Sequence, residues 1–159
     1  MKSFLKMLTN MFSKYNPEND ILNFPLKKYK GRIDINKALE IGNSSVHYSP
    51  DYAYETPFEI LDRIKDSTLL WIDNQNSLLG LSDHKKTLLV PLNKINGIEI
   101  QNILKGKGPG ESDLFLYLHN NPFVMLSISP DTYYFDQYAD EISKTTGFTV
   151  TFSPEYYNA

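Results

Sequence analysis

Residues 68–90 read TLLWIDNQNSLLGLSDHKKTLLV, and this stretch decides what kind of fold the chain adopts. It holds three apolar runs, at 68–73, 78–82 and 86–90. Each is too short for a stable helix and is bounded by polar turn residues, which is how strands read. Asn74 to Ser77 turn the chain between the first two runs, and Asp83 with His84 between the second and third. Two hairpins in succession imply antiparallel pairing.

The pattern continues towards the C-terminus. Pro91 marks a strand end or edge, because it cannot donate to a ladder. Ile95, Ile98, Ile100 and Ile103 form a fourth strand around Gly97, where a bulge is expected. A polar, glycine-rich loop follows from Lys105 to Glu111. Residues 113–119 (DLFLYLH) and 123–129 (FVMLSIS) make two more strands about an Asn120-Asn121-Pro122 turn. Ser129-Pro130-Asp131 then reads as a helix start. Tyr134, Phe135, Tyr138, Ala139 and Ile142 form one apolar stripe, and Gly147 is the expected C-cap. Phe148, Val150 and Phe152 alternate with Thr149 and Thr151, as a last strand would.

Reading towards the N-terminus, Thr56-Pro57-Phe58-Glu59 has the form of a capping box for a helix over 57–65, with Phe58, Leu61 and Ile64 on one face. Tyr52 and Tyr54 alternate as in a short strand. Lys37 to Ile41 read as a helical turn ending at Gly42. Residues 16–32, with two prolines, three Asn and a Lys cluster, read as a linker in which Ile21, Leu22, Phe24 and Leu26 remain free to dock. In residues 4–15, Phe4, Leu5, Leu8, Met11, Phe12 and Tyr15 fall on one helical stripe, with Lys2, Lys6 and Lys14 on other faces. Asn16-Pro17 ends that helix.

The chain of 159 residues therefore divides into a basic amphipathic arm and linker (1–32) and one domain (33–159). The expected fold class is α+β: an antiparallel meander or partial barrel of six to seven strands, capped by a C-terminal amphipathic helix and preceded by the helical arm. The order of elements in LLWIDNQNSLLGLSDHKKTLLVPLNKINGIEI and SPDTYYFDQYADEISKTTG, within residues 69–147, resembles the bacterial pleckstrin-homology-like domains. The likeness implies a binding module in which basic residues of inter-strand loops receive anionic groups, here Lys105 and Lys107.

Composition limits the chemistry. With no cysteine there is no disulfide framework, thiolate zinc site or thiol nucleophile. Residues 1–37 carry eight basic and three acidic side chains, a net +5. The other 122 residues carry eight basic and sixteen acidic ones, a net −8. A basic arm on an acidic body points to an anionic membrane, an acidic partner or the chain's own body. Nucleic acid is not expected, since the body is acidic and Arg is scarce.

His47, His84 and His119 have no metal-ligand spacing, and neither a metal nor a cofactor is expected. Gly106-Lys107-Gly108-Pro109-Gly110 lacks P-loop spacing. Ser82-Asp83-His84 carries no weight without a nucleophile elbow. Glu111 and Asp113 alternate on one strand face, where burial could raise one carboxyl into acid–base range.

These features favour a non-enzymatic adaptor that binds a protein or a membrane surface. By analogy with small, acidic, cysteine-free bacterial proteins, an immunity or inhibitor protein fits as well. Its contacts would come from Lys105 and Lys107 and from the arm residues Lys2, Phe4, Leu5, Lys6, Leu8, Met11, Phe12 and Lys14. The alternatives are an assembly subunit docking a neighbour through the arm, including a homo-oligomer, and a small hydrolase. The expected compartment is the cytoplasm, with peripheral attachment to the inner membrane face as a variant.

Overall fold

The computed structural model describes residues 26–42, 44–120 and 123–158. The helical stripe expected for residues 4–15, and most of the linker, lie outside them. Along the described chain come β1 (Lys37–Glu40), β2 (Ser45–Val46), β3 (Ala53–Glu55), α1 (Phe58–Leu61) and β4 (Leu69–Asp73). Then follow β5 (Leu78–Ser82), β6 (Lys86–Pro91), β7 (Ile95–Leu104), β8 (Glu111–Leu118) and β9 (Phe123–Ser129). The chain ends with α2 (Ala139–Thr146), β10 (Val150–Phe152) and β11 (Tyr156–Tyr157).

The strands form two sheets. The first has the order β1-β4-β5-β6-β3 and the second β10-β7-β8-β9-β2, with β11 also pairing with β7. The two hairpins of residues 68–90 form, with Trp71 opposite Gly80 and Gly80 opposite Leu89. Register shifts between Ile95 and Gly97, where the bulge was expected, and again between Leu114 and Phe115.

The expected α+β fold, a single meander sheet under one helix in the pleckstrin-homology-like manner, is overturned. The described chain is mainly β, and a second sheet rather than a helix covers the first. The strands divide at Pro91, which ends β6, and at the 3-10 turn Leu92–Lys94 that redirects the chain into β7. Leu79, Leu81 and Leu88 of the first sheet meet Ile98, Ile100, Leu114 and Leu116 of the second in one core. The unbroken apolar runs of β4 and β5 are the sequence trace of this arrangement. A sheet with one wet face alternates polar and apolar residues, whereas every residue of both these strands is buried.

The outer face of the first sheet carries a second core. Trp71, Leu69, Leu78 and Leu89 pack there with Ile33, Ile60 and Ile64. Each large side chain so buried contributes about 1.5–3 kcal/mol. Asp73 fastens the chain over this face, its Oδ2 accepting the Asp34 amide at 2.9 Å and Asn76 Nδ2 at 2.7 Å.

Several local expectations are corrected by tertiary partners. Lys37 to Glu40 form an edge strand on β4 instead of a helical turn. The capping box does not form: Thr56 Oγ1 donates to the Asp83 carbonyl at 2.7 Å, and Glu59 Oε2 accepts the Ile33 amide at 3.2 Å. Helix α1 is a single turn that buries Ile60 and leaves Phe58 exposed, so of the expected face Phe58, Leu61 and Ile64 only Ile64 is buried in the core. The helix expected over 130–146 is divided as well. Ser129 Oγ accepts the Asp131 amide in a turn, Tyr133 is left-handed, and a 3-10 segment (Tyr134–Tyr138) precedes α2. Phe135 and Ile142 are nevertheless fully buried in the inter-sheet core. Gly147 ends α2 at φ 77°, its amide donating to the Ser143 carbonyl at 2.8 Å.

Candidate functional site

Lys105 and Lys107 lie exposed on the loop between β7 and β8, and that loop is braced. Its own turn closes through the Gly106 amide and the Gly108 carbonyl at 3.1 Å. The C-terminal segment holds it from one side: the Asn158 amide donates to the Leu104 carbonyl at 2.9 Å and Asn158 Nδ2 to the Pro109 carbonyl at 2.8 Å. The turn after β9 holds it from the other, where Thr132 Oγ1 donates to the Ile103 carbonyl at 2.9 Å. Thr132 Oγ1 also fills the place a side chain on Gly110 would take.

Three aromatic rings stand at this corner. Phe152 is opposite Ile100 and Tyr157 opposite Leu104, so both share the face of β7 that Asn102 occupies. Asn102 Oδ1 accepts the Tyr133 amide at 3.1 Å, while its Nδ2 donates to Asp136 Oδ1 at 2.9 Å. Tyr133, Phe152 and Tyr157 are 46%, 53% and 67% exposed. Tyr133 has φ 66°, a left-handed conformation that a bulky side chain adopts only at a cost of about 1–3 kcal/mol. Its hydroxyl donates to Glu155 Oε2 at 3.0 Å, and this bond raises the phenol above its ordinary pKa.

A second group of polar side chains occupies the outer face of the second sheet. The register places Asp113 beside Gln101 and Ile128, with Glu111 opposite Ile103. Asp113 is fully buried, with the Glu111 carboxyl as its hydrogen-bonding neighbour. Burial first, and the adjacent Glu111 carboxyl second, push it up to about 9, so it keeps its proton at neutral pH. On the same face Glu99 stands beside Tyr117, and the phenol's bond to that carboxylate, together with burial, pushes it up to about 12.

The remaining sequence candidates do not converge. Ser82 is buried, accepting from Trp71 Nε1 at 2.9 Å and sharing a hydrogen bond with Thr87 at 2.6 Å. The His84 ring instead meets the Lys65 carbonyl at 2.9 Å, in an open cleft of about 240 Å³ lined also by Thr68 and Asp83. His47 is held below its ordinary pKa by burial and then by Lys86. His119 is exposed on the turn after β8. Among the described residues no group of three His, Asp or Glu is arranged to hold a metal ion, and no helix is long and apolar enough to cross a membrane. The arm residues Lys2, Phe4, Leu5, Lys6, Leu8, Met11, Phe12 and Lys14 lie outside the described residues.

Sequence reasoning singled out the two lysines but not the exposed aromatic residues beside them. Phe152 was legible only as a strand residue, and Tyr133 only as part of a helix start. Their exposure follows from long-range pairing of β10 and β11 with β7, which leaves no local pattern.

No curated protein and no solved structure matches the chain. Residues 25–157 match the family described as the PM0294 C-terminal domain. That match takes in both sheets, the braced loop and the aromatic corner, and the chain belongs to the PM0294 C-terminal domain family.

Proposed function

We propose that this domain is a non-enzymatic binding module and that its working surface is the corner formed by Tyr133, Phe152, Tyr157 and the Lys105–Lys107 loop. One observation carries the reading: a bulky aromatic residue is held in a strained backbone conformation by a buried Asn, with its ring turned outwards. Strain of this kind persists where surrounding structure over-determines it, and it concentrates at sites that bind. Tyrosine is also the residue type that protein interfaces favour for their energetic centres, because it offers a large, stiff contact area with a polar tip.

The partner this surface fits is a protein segment that combines apolar and acidic side chains. Rings would take the apolar groups and the two lysines the carboxylates. The corner is braced from both sides, so little ordering entropy is lost on binding. Such a surface suits an adaptor, inhibitor or immunity role, and a chain without cysteine is compatible with the reducing cytoplasm.

Peptides selected by display against the full chain test this. They should be enriched in Asp or Glu next to apolar residues. Their binding should perturb the amide resonances of Tyr133, Lys107 and Tyr157. Tyr157→Ala should weaken the selected peptides about tenfold or more, as loss of an interface aromatic does. Peptides whose footprint lies on other strands would overturn the assignment.

A further inference from the structure

We propose that a one-way chain of hydrogen bonds locks the turn bearing His84 to the buried Trp71, so that the cleft beside that turn and the second core form one conformational unit. The chain begins at the indole. Trp71 is fully buried, and its Nε1–H, which can only donate, meets Ser82 Oγ at 2.9 Å. Ser82 Oγ lies 2.6 Å from Thr87 Oγ1, and Thr87 Oγ1 lies 3.2 Å from Thr56 Oγ1. Thr56 Oγ1 ends the chain at the Asp83 carbonyl, which can only accept.

Each hydroxyl has a single proton, so the two ends fix every direction between them. Thr56 donates to Asp83, Thr87 donates to Thr56, and Ser82 donates to Thr87. The order cannot reverse, because neither end can change its role. Sheet register assembles the parts. Ser82 stands opposite Thr87 across β5 and β6, and the indole lies across Gly80, where no side chain blocks its way to Ser82.

Asp83 is the hub of the turn that this chain holds. Its amide donates to the Lys86 carbonyl at 3.0 Å, and its Oδ1 accepts the Lys85 and Lys86 amides at 2.8 and 2.9 Å. His84 leaves the turn to donate from Nε2 to the Lys65 carbonyl at 2.9 Å. Asp83, His84 and Lys65 all line the open cleft, so the lock reaches both of its walls. Removing one hydroxyl would leave buried groups unpaired on either side of it, and the links therefore act together.

The chain has one tryptophan, so its indole proton gives a single signal. In Thr56→Val, exchange of that proton with solvent should quicken about tenfold or more, as loss of a buried partner predicts. The His84 and Lys85 signals should move in the same variant. Thr56→Ser keeps the hydroxyl and should behave as the parent does. Thr87→Val should disturb both ends alike; if it does not fold, the two Thr56 variants decide. Parental indole exchange in Thr56→Val would overturn the lock, as would an equal change in Thr56→Ser, which would be a packing effect. A matching rise among the amides of β8 in the second sheet would overturn it too, by assigning the change to loss of overall stability. The lock belongs to the first sheet and does not rest on the Tyr133 corner.

Discussion

Gly80 illustrates how a single position sets the packing of the first sheet. It stands opposite Trp71, and the indole occupies the space a side chain there would take. Gly80→Ala should cost about 1–3 kcal/mol through overpacking and shift the Trp71 emission to the red, both read from urea unfolding followed by fluorescence. Asp113 behaves in the opposite sense. Its carboxyl titrates near 9 in the folded chain and near 3.8 when unfolded. Folded protein therefore holds a proton that unfolded protein gives up, and stability falls as pH rises through that interval, then levels off above it. Asp113→Asn removes the titration, so its melting temperature should decline less between about pH 5 and about pH 8 than that of the parent (intervals set by linkage, about one unit inside each pKa). A parent and variant with parallel pH profiles would show that Asp113 is not the titrating group. At Asp73, burial raises the pKa, but donors from Asn76, Asp34 and Gln75 outweigh it and hold the carboxyl low. That contribution is present above the ordinary carboxylate range and is lost on acidification through the folded value. Asp73→Ala should cost about 1.5–3 kcal/mol at neutral pH, as loss of bonds to a charged acceptor does.

Among the elements, the turn that carries Tyr133 has the most unusual chemistry. A glycine at that position would relax the left-handed backbone, so Tyr133→Gly should raise stability by about 1 kcal/mol or leave it level, despite removing a ring. The same change should weaken any ligand of the corner, a separation of stability from binding that calorimetry and titration resolve together. The elements also show why local signals misled. Thr56 and Glu59 have the spacing of a capping box, but each found a partner distant in sequence, Asp83 and Ile33 respectively. A single-turn helix has too few internal bonds to hold its own caps against such competitors.

Across the full domain, the two sheets share one core, to which Leu81 and Leu116 both belong. Leu81→Ala in the first sheet and Leu116→Ala in the second should each cost about 2–5 kcal/mol and lower one common unfolding midpoint. Two separated transitions would mean that the sheets fold independently.

Much of the fold was legible from residue patterns, and the reason is local. The strand runs at 78–82 and 123–129, the turns between them, the bulge near Gly97 and the cap at Gly147 depend on chain neighbours. Period, turn chemistry and the freedom of glycine report such things directly. The division into two sheets, the exposure of Tyr133 and Tyr157, the bracing of the lysine loop by Asn158 and the burial of Asp113 all come from contacts between distant segments. Val150 lies opposite Ile98 and Tyr156 opposite Ile103, pairings about fifty residues apart that no short-range period encodes. Only folding brings those segments together, and the candidate binding surface exists because it does.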